Sequence, residues 1–164
     1  MPPIKADAVI ERTSDSELQV TRTVSGSARL AFQAWARPEL FQRWWAPSSF
    51  GVTIIAYEAD VRAGGTYRLE IGHASSDQTM TFYGRYLDVA PDARIVWTND
   101  EGDEDGPVTT VTFEDRDGDT LVTVLDRYPS KEALDKAMAN GSTSGWNEQL
   151  RQLDAMLGDP GAQP

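Results

Sequence analysis

The chain has 164 residues, of which 40% are hydrophobic and 25% are charged, and this composition is typical of one globular domain. The formal net charge of −11 disfavours binding to nucleic acid or to anionic membrane surfaces. The absence of cysteine excludes disulfides and thiolate metal sites, and the single histidine, His73, excludes a two-histidine zinc site. No hydrophobic segment is long enough to insert in a membrane and no signal peptide is evident, so we expect a cytoplasmic protein.

The first third of the chain predicts a strand followed by two short helices. Residues 1–16 show no clear periodicity and are expected to form a loose leader. Hydrophobic and polar residues alternate over residues 17–25, which predicts a strand. Ser27 is typical of a helix N-cap before hydrophobic residues at helical spacing. Pro38 predicts the start of a second short helix that continues to Trp44.

The rest of the chain predicts an antiparallel sheet and a final helix. Residues 52–127 have the pattern of strands joined by short turns, which indicates an antiparallel meander, since parallel strands need long crossovers. Hydrophobic spacing predicts a long helix that begins at Ser130, with a bend or a close contact at residues 140–142. We expect a single domain over residues 17–158, with a disordered tail over residues 159–164. Burying the helix against the sheet favours a curved α+β architecture.

Several separated segments resemble those of one known family. They are FQAWARPELFQRWWAP at residues 32–47, DVRAGG at 60–65, GRY at 84–86, Pro91 with RIVW at 94–97, and GWNEQL at 145–150 with Leu153. In this order, over roughly residues 18–157, they resemble proteins of the activator of heat-shock protein 90 ATPase homologue type. The resemblance implies the START-like, or SRPBCC, superfamily, which includes relatives of the birch pollen allergen. It therefore implies a helix-grip fold, in which a curved antiparallel sheet and a C-terminal helix enclose a hydrophobic cavity.

Aromatic residues are candidates for the lining of such a cavity. The chain has five tryptophans, and tyrosines and phenylalanines lie on neighbouring predicted strands. Ligand sites are mostly apolar, although each of these rings could equally pack in the core. Missing side-chain bulk at Gly84, Gly141 and Gly145 is expected to leave space beside them. The predicted ligand-binding residues are Trp45, Tyr57, Tyr67, Leu69, Phe82, Trp97, Met138 and Trp146.

Three functions stay open at this point. The favoured one is binding of a small, largely apolar molecule, with neither metal nor cofactor. The second is an enzyme of cyclase, dehydratase or hydrolase type, in which protons would be moved by Tyr57, Tyr67, Glu70 or His73. The third is a module that binds a chaperone or another protein. The acidic segment 115–119 is expected to be a hairpin turn and not a calcium loop, and the sequence does not decide between a monomer and a homodimer.

Overall fold

The computed structural model describes residues 8–46, 51–73, 75–100, 106–139 and 145–158. The strands are β1 (Val9–Arg12), β2 (Glu17–Val24), β3 (Val52–Ala59), β4 (Thr66–His73), β5 (Ser76–Ala90), β6 (Arg94–Thr98), β7 (Val108–Arg116) and β8 (Asp119–Arg127). The helices are α1 (Ala28–Ala36), α2 (Pro38–Phe41), α3 (Lys131–Ala139) and α4 (Trp146–Leu157). In the described part of the chain, no helix is long and apolar enough to cross a membrane.

All eight strands belong to one antiparallel sheet, in the order β1-β2-β8-β7-β6-β5-β4-β3. Strands β3 to β8 form the predicted meander, in which each strand pairs with the next one along the chain. Strand β2 pairs instead with β8, so α1 and α2 connect two distant parts of the sheet. The curved sheet and the C-terminal helix confirm the predicted helix-grip fold.

Strand β1 was not predicted by the sequence pattern. Its four residues are all exposed, so they lack the alternation of hydrophobic and polar residues that marks a half-buried strand. Backbone pairing with β2 defines the strand, and Arg12 also forms a 2.7 Å ion pair with Asp135 of α3. The prediction of a loose leader is therefore wrong for residues 9–12, while residues 1–7 lie outside the described part.

The C-terminal helices pack on the inner face of the sheet. Trp146, Leu150 and Leu153 of α4 are buried, as the hydrophobic spacing predicts. The predicted inward position of Met138 is wrong, since this side chain is 42% exposed. Helix α3 buries Leu134 and Ala137 instead, and the residue after Ala137 is turned about 100° around the helix axis. The predicted bend or close contact at residues 140–142 lies outside the described residues.

Two predicted local signals appear in the structure as expected. Ser27 caps α1 by accepting a hydrogen bond from the backbone N–H of Leu30, at 3.3 Å. The acidic segment forms the β7–β8 turn, in which Asp117 and Gly118 have φ values of 55° and 89°, typical of an Asp-Gly hairpin turn. Within the same segment, Asp115 accepts a 2.9 Å hydrogen bond from the backbone of the first α1 residue. The carboxylate of Asp115 therefore helps to cap the N-terminus of α1.

Gly84 allows two backbone segments to come close together. A Cβ atom at this position would overlap the carbonyl oxygen of Thr98 and would lie 2.9 Å from Cε1 of Tyr67. The prediction that missing bulk at Gly84 leaves space for a ligand is therefore wrong, because the backbone of Thr98 fills that space. Gly141 lies outside the described residues, and Gly145 lines the cavity described next.

Candidate ligand-binding cavity

A cavity of about 500 Å³ lies between the inner face of the sheet, the segment after α2 and the start of α4. Ten of the described residues in its wall are aromatic, and hydrophobic side chains such as Leu69, Ile71 and Ile95 supply much of the remainder. Small-molecule sites in proteins typically have volumes of roughly 300–1,000 Å³ and mostly apolar walls. The size and the lining of this cavity are therefore suited to a small, largely apolar molecule.

The structure brings seven of the eight predicted cavity residues together in one wall. They are Trp45, Tyr57, Tyr67, Leu69, Phe82, Trp97 and Trp146. Met138 is the exception, because α3 presents Ala137 to the cavity and Met138 to solvent. The role of these residues in ligand binding stays a prediction.

Glu70 and His73 do not line the cavity. Glu70 lies on the opposite face of β4 from Leu69, because successive strand residues alternate between faces, and it forms a 3.7 Å ion pair with Arg68. His73 is exposed, and its Nδ1 atom accepts a 3.1 Å hydrogen bond from the backbone of Ser75. Of the four residues proposed for proton transfer, the structure thus places the two tyrosines at the cavity.

The adjacent tryptophans Trp44 and Trp45 occupy different environments. Trp44 is fully buried in the core, and its indole N–H donates a 3.0 Å hydrogen bond to the carbonyl oxygen of Ala34. Trp45 lines the cavity, where it stacks on Phe41 at 4.7 Å between ring centroids and meets Trp146 edge-on at 5.4 Å. Trp44 therefore supports the wall, and Trp45 is part of it.

Two glutamines of α4 hold the segment that carries Trp45. The side-chain amide of Gln149 donates to the carbonyl oxygen of Trp45 at 2.7 Å. The side-chain amide of Gln152 donates to the carbonyl oxygens of Trp44 and Ala46 at 2.8 and 2.9 Å. Carbonyl groups just beyond a helix end need such partners because the helix no longer supplies them. These bonds fix the wall segment after α2 against α4.

A buried ion pair fixes α4 on the sheet. Nη2 of Arg22 in β2 lies 3.2 Å from Oδ2 of Asp154, and these side chains are 6% and 17% exposed. The other carboxylate oxygen of Asp154 accepts a 2.7 Å hydrogen bond from the backbone of Ser25. Among the described residues, Nε and Nη1 of Arg22 have no hydrogen-bond partner, so Asp154 is its main stabilising contact.

Two of the cavity tyrosines, Tyr57 and Tyr86, stay neutral near pH 7. Burial raises the pKa of Tyr57 to about 12, although a hydrogen bond with Tyr86 opposes this rise. Burial also raises the pKa of Tyr86 well above its ordinary value, with a smaller contribution from Tyr57. Neither hydroxyl can therefore act as a base at neutral pH. The hydroxyl of Tyr67 donates a 2.8 Å hydrogen bond to the carbonyl oxygen of Thr98.

The carboxyl group of Asp126 in β8 lies in the cavity wall. The residue is 7% exposed, and the hydroxyl of Thr109 donates to its Oδ1 atom at 2.5 Å. Burial raises the pKa of Asp126 to about 6, while hydrogen bonds from Thr109 and Trp146 act in the opposite direction. The pKa of Tyr128 rises to about 12 through burial and the nearby charge of Asp126.

Asp126 was missed by the sequence analysis, although a signal for it exists. Strand β8 buries every second residue, and Val122, Val124 and Asp126 share the inward parity. Aspartate is common at the beginning of solvent-exposed turns, and Asp126 lies at the end of its strand. Its side chain was therefore not predicted to face inward. The alternation of residues 120–126 would have predicted an inward carboxyl group.

The fold and the cavity together define a helix-grip protein with an internal, aromatic-lined cavity. The family model described as activator of Hsp90 ATPase homolog 1-like protein matches residues 25–158. The chain therefore belongs to this family, which confirms the resemblance seen in its sequence segments. A comparison with curated proteins finds no match.

Solved structures with the same fold come from several bacteria. A protein from Rhodobacter sphaeroides is 20% identical, with a TM-score of 0.83 over 93% of this chain and 98% of that one. A protein from Staphylococcus epidermidis is 25% identical, with a TM-score of 0.78 over 92% of this chain and 93% of that one. An AHSA1-like protein from Aeromonas hydrophila is 19% identical, with a TM-score of 0.67 over 84% of this chain and 92% of that one. These similarities show a shared fold.

Proposed function

We propose that this protein binds a small, largely apolar molecule in the internal cavity. The observation that supports the proposal is the cavity of about 500 Å³ with its mostly apolar wall, which is rich in aromatic rings. The pocket is partly open to solvent, and displacing poorly ordered water from an apolar wall by an apolar group favours binding. We therefore expect the space to hold a ligand, or water that a ligand displaces.

Binding of Nile red, a neutral apolar dye, tests this proposal. Wild-type protein should bind the dye at one saturable site, with a change in tryptophan emission because four tryptophans line the cavity. In Ala137→Phe the added ring would occupy the cavity, and we expect affinity to fall by about tenfold or more. Ala155→Phe adds the same ring at an exposed position of α4 and serves as the matched control.

Circular dichroism of both variants establishes that they are folded before binding is compared. Equal loss of affinity in Ala137→Phe and Ala155→Phe would contradict the proposal, as would dye binding that does not saturate. Binding that survives Ala137→Phe unchanged would place the dye site outside the cavity.

An enzyme that uses the same cavity is a second candidate, and Asp126 is the observation that favours it. A buried carboxyl group with a pKa of about 6 can accept or donate a proton near neutral pH. Asp126 would then have the proton-transfer role that the sequence analysis gave to Tyr57, Tyr67, Glu70 or His73. Mass spectrometry of a bound compound, before and after incubation with the protein, distinguishes a carrier from an enzyme. A carrier returns the compound unchanged, whereas an enzyme converts it and loses the conversion in Asp126→Asn.

A further inference from the structure

In the part of the chain that the structure describes, the cavity wall contains one carboxyl group and no basic side chain to balance it. Among the described residues that form the wall, Asp126 is the only acidic one, and none is lysine, arginine or histidine. A buried carboxylate is unfavourable unless cations or hydrogen-bond donors compensate its charge. Hydrogen bonds from Thr109 and Trp146 stabilise the carboxylate, but they leave its negative charge in place.

Three other polar groups of the wall donate hydrogen bonds within the protein. The side-chain amide of Asn99 donates to Pro107 O at 2.8 Å and to the hydroxyl of Thr109 at 3.1 Å. Thr109 in turn donates its hydroxyl hydrogen to Asp126, and the hydroxyl of Tyr67 donates to a backbone carbonyl. The hydrogen bonds from Asn99 to Thr109 and from Thr109 to Asp126 lead to the carboxylate. Because a carboxylate can accept several hydrogen bonds, Asp126 retains acceptor capacity for a ligand that donates.

We propose that the cavity selects apolar molecules that carry a basic amine, with the ammonium group paired to the carboxylate of Asp126. This inference rests on the proposed function and specifies its ligand class. An ammonium group supplies both the missing positive charge and hydrogen-bond donors, so it forms charge-assisted hydrogen bonds with the carboxylate. Aromatic ring faces also attract cations, and the wall is rich in such rings.

The electrostatics of the protein favour the same ligand class. Although burial raises the pKa of Asp126 to about 6, the group is mostly ionised at pH 7.5. Tyr57, Tyr86 and Tyr128 stay neutral there, because burial raises the pKa of each hydroxyl. The net charge of −11 additionally attracts cations and repels anions at long range. A carboxylate ligand would bring a second negative charge to an already negative cavity.

Three compounds of similar size and shape test the inference at pH 7.5. They are 4-phenylbutylamine, which is a cation, 4-phenylbutan-1-ol, which is neutral, and 4-phenylbutanoate, which is an anion. Dissociation constants are measured by tryptophan fluorescence and calorimetry on the wild-type protein. We expect the amine to bind about 10- to 100-fold more tightly than the alcohol, and the anion to bind most weakly.

Variants then assign the preference to one carboxyl group. Asp126→Asn keeps the shape of the side chain and should reduce the preference for the amine to less than about threefold while the alcohol still binds. Asp92→Asn makes the same chemical change at an exposed turn and should keep the preference. A loss of preference in both variants would attribute the effect to overall charge and would overturn the role of Asp126.

The wild-type data are decisive even if Asp126→Asn does not fold. Equal affinities for amine and alcohol, or tighter binding of the alcohol, would overturn the amine inference while Nile red binding still supports the proposed function. If neither Nile red nor any of the three compounds binds, the proposed function itself is overturned, and the amine inference with it.

Discussion

Replacing Asp126 by asparagine should change how the stability of the protein depends on pH. In the folded state the carboxyl is 7% exposed, and burial raises its pKa from 3.8 to about 6. The folded protein therefore holds this proton more tightly than the unfolded chain does. The resulting stabilisation is fully present below a pH of about 3.8 and is lost as the pH rises through 6.

The size of the effect follows from this difference in pKa, which corresponds to about 3 kcal/mol at most. Between pH 4.5 and 7.5, where the protein is more easily kept folded, the expected change is about 2 kcal/mol. Asp126→Asn cannot ionise, and its amide oxygen can still accept the hydrogen bond from Thr109. As the pH rises from 4.5 to 7.5, the unfolding free energy of the variant should therefore increase by about 2 kcal/mol relative to that of wild type.

Urea denaturation followed by tryptophan fluorescence measures this difference, with wild type and variant compared in the same buffers. Groups that titrate identically in both proteins cancel in the comparison. Asp92→Asn, at an exposed turn, corrects for the loss of one negative charge from the whole protein. The reasoning would be refuted if the difference in unfolding free energy between variant and wild type stayed constant from pH 4.5 to 7.5. It would also be refuted if wild type became more stable relative to the variant as the pH rose.

Two further predictions concern the attachment of α4. Trp146→Ala removes a large side chain that is 8% exposed, so unfolding free energy should fall by about 3–5 kcal/mol, and a melting temperature close to that of wild type would contradict this packing. Asp154→Ala leaves the buried guanidinium of Arg22 without its ion-pair partner and should cost about 3–5 kcal/mol. The double variant with Arg22→Met should recover more than half of that loss, and an additive loss would refute the pairing.

Local sequence signals were sufficient for much of the architecture. Alternating residues marked β2, the Asp117-Gly118 pair marked a hairpin turn, and Ser27 marked the beginning of a helix. Each of these features depends on residues close together in the chain, so a short segment contains the information. Because the ordered family segments implied the helix-grip fold, the aromatic residues could also be assigned to one cavity. Seven of the eight predicted cavity residues line it.

Features that depend on distant neighbours could not be predicted in this way. Strand β1 exists through its pairing with β2, although its own residues are exposed. Met138 faces solvent because the packing of α3 selects Leu134 and Ala137 as the buried face. Gly84 is needed because the backbone of Thr98 crosses beside it.

Asp126 shows the same limit at the candidate site. Strand alternation could have placed its side chain inward, but its effect depends on three residues that are distant in the chain or lie on other elements. Thr109 of β7 and Trp146 of α4 contact the carboxyl, and Asn99, just after β6, orients Thr109. The chain order does not reveal that these groups meet, or that no basic residue joins them in the described wall. Burial and charge at a site are properties of the packed structure, because they depend on every element that surrounds the group.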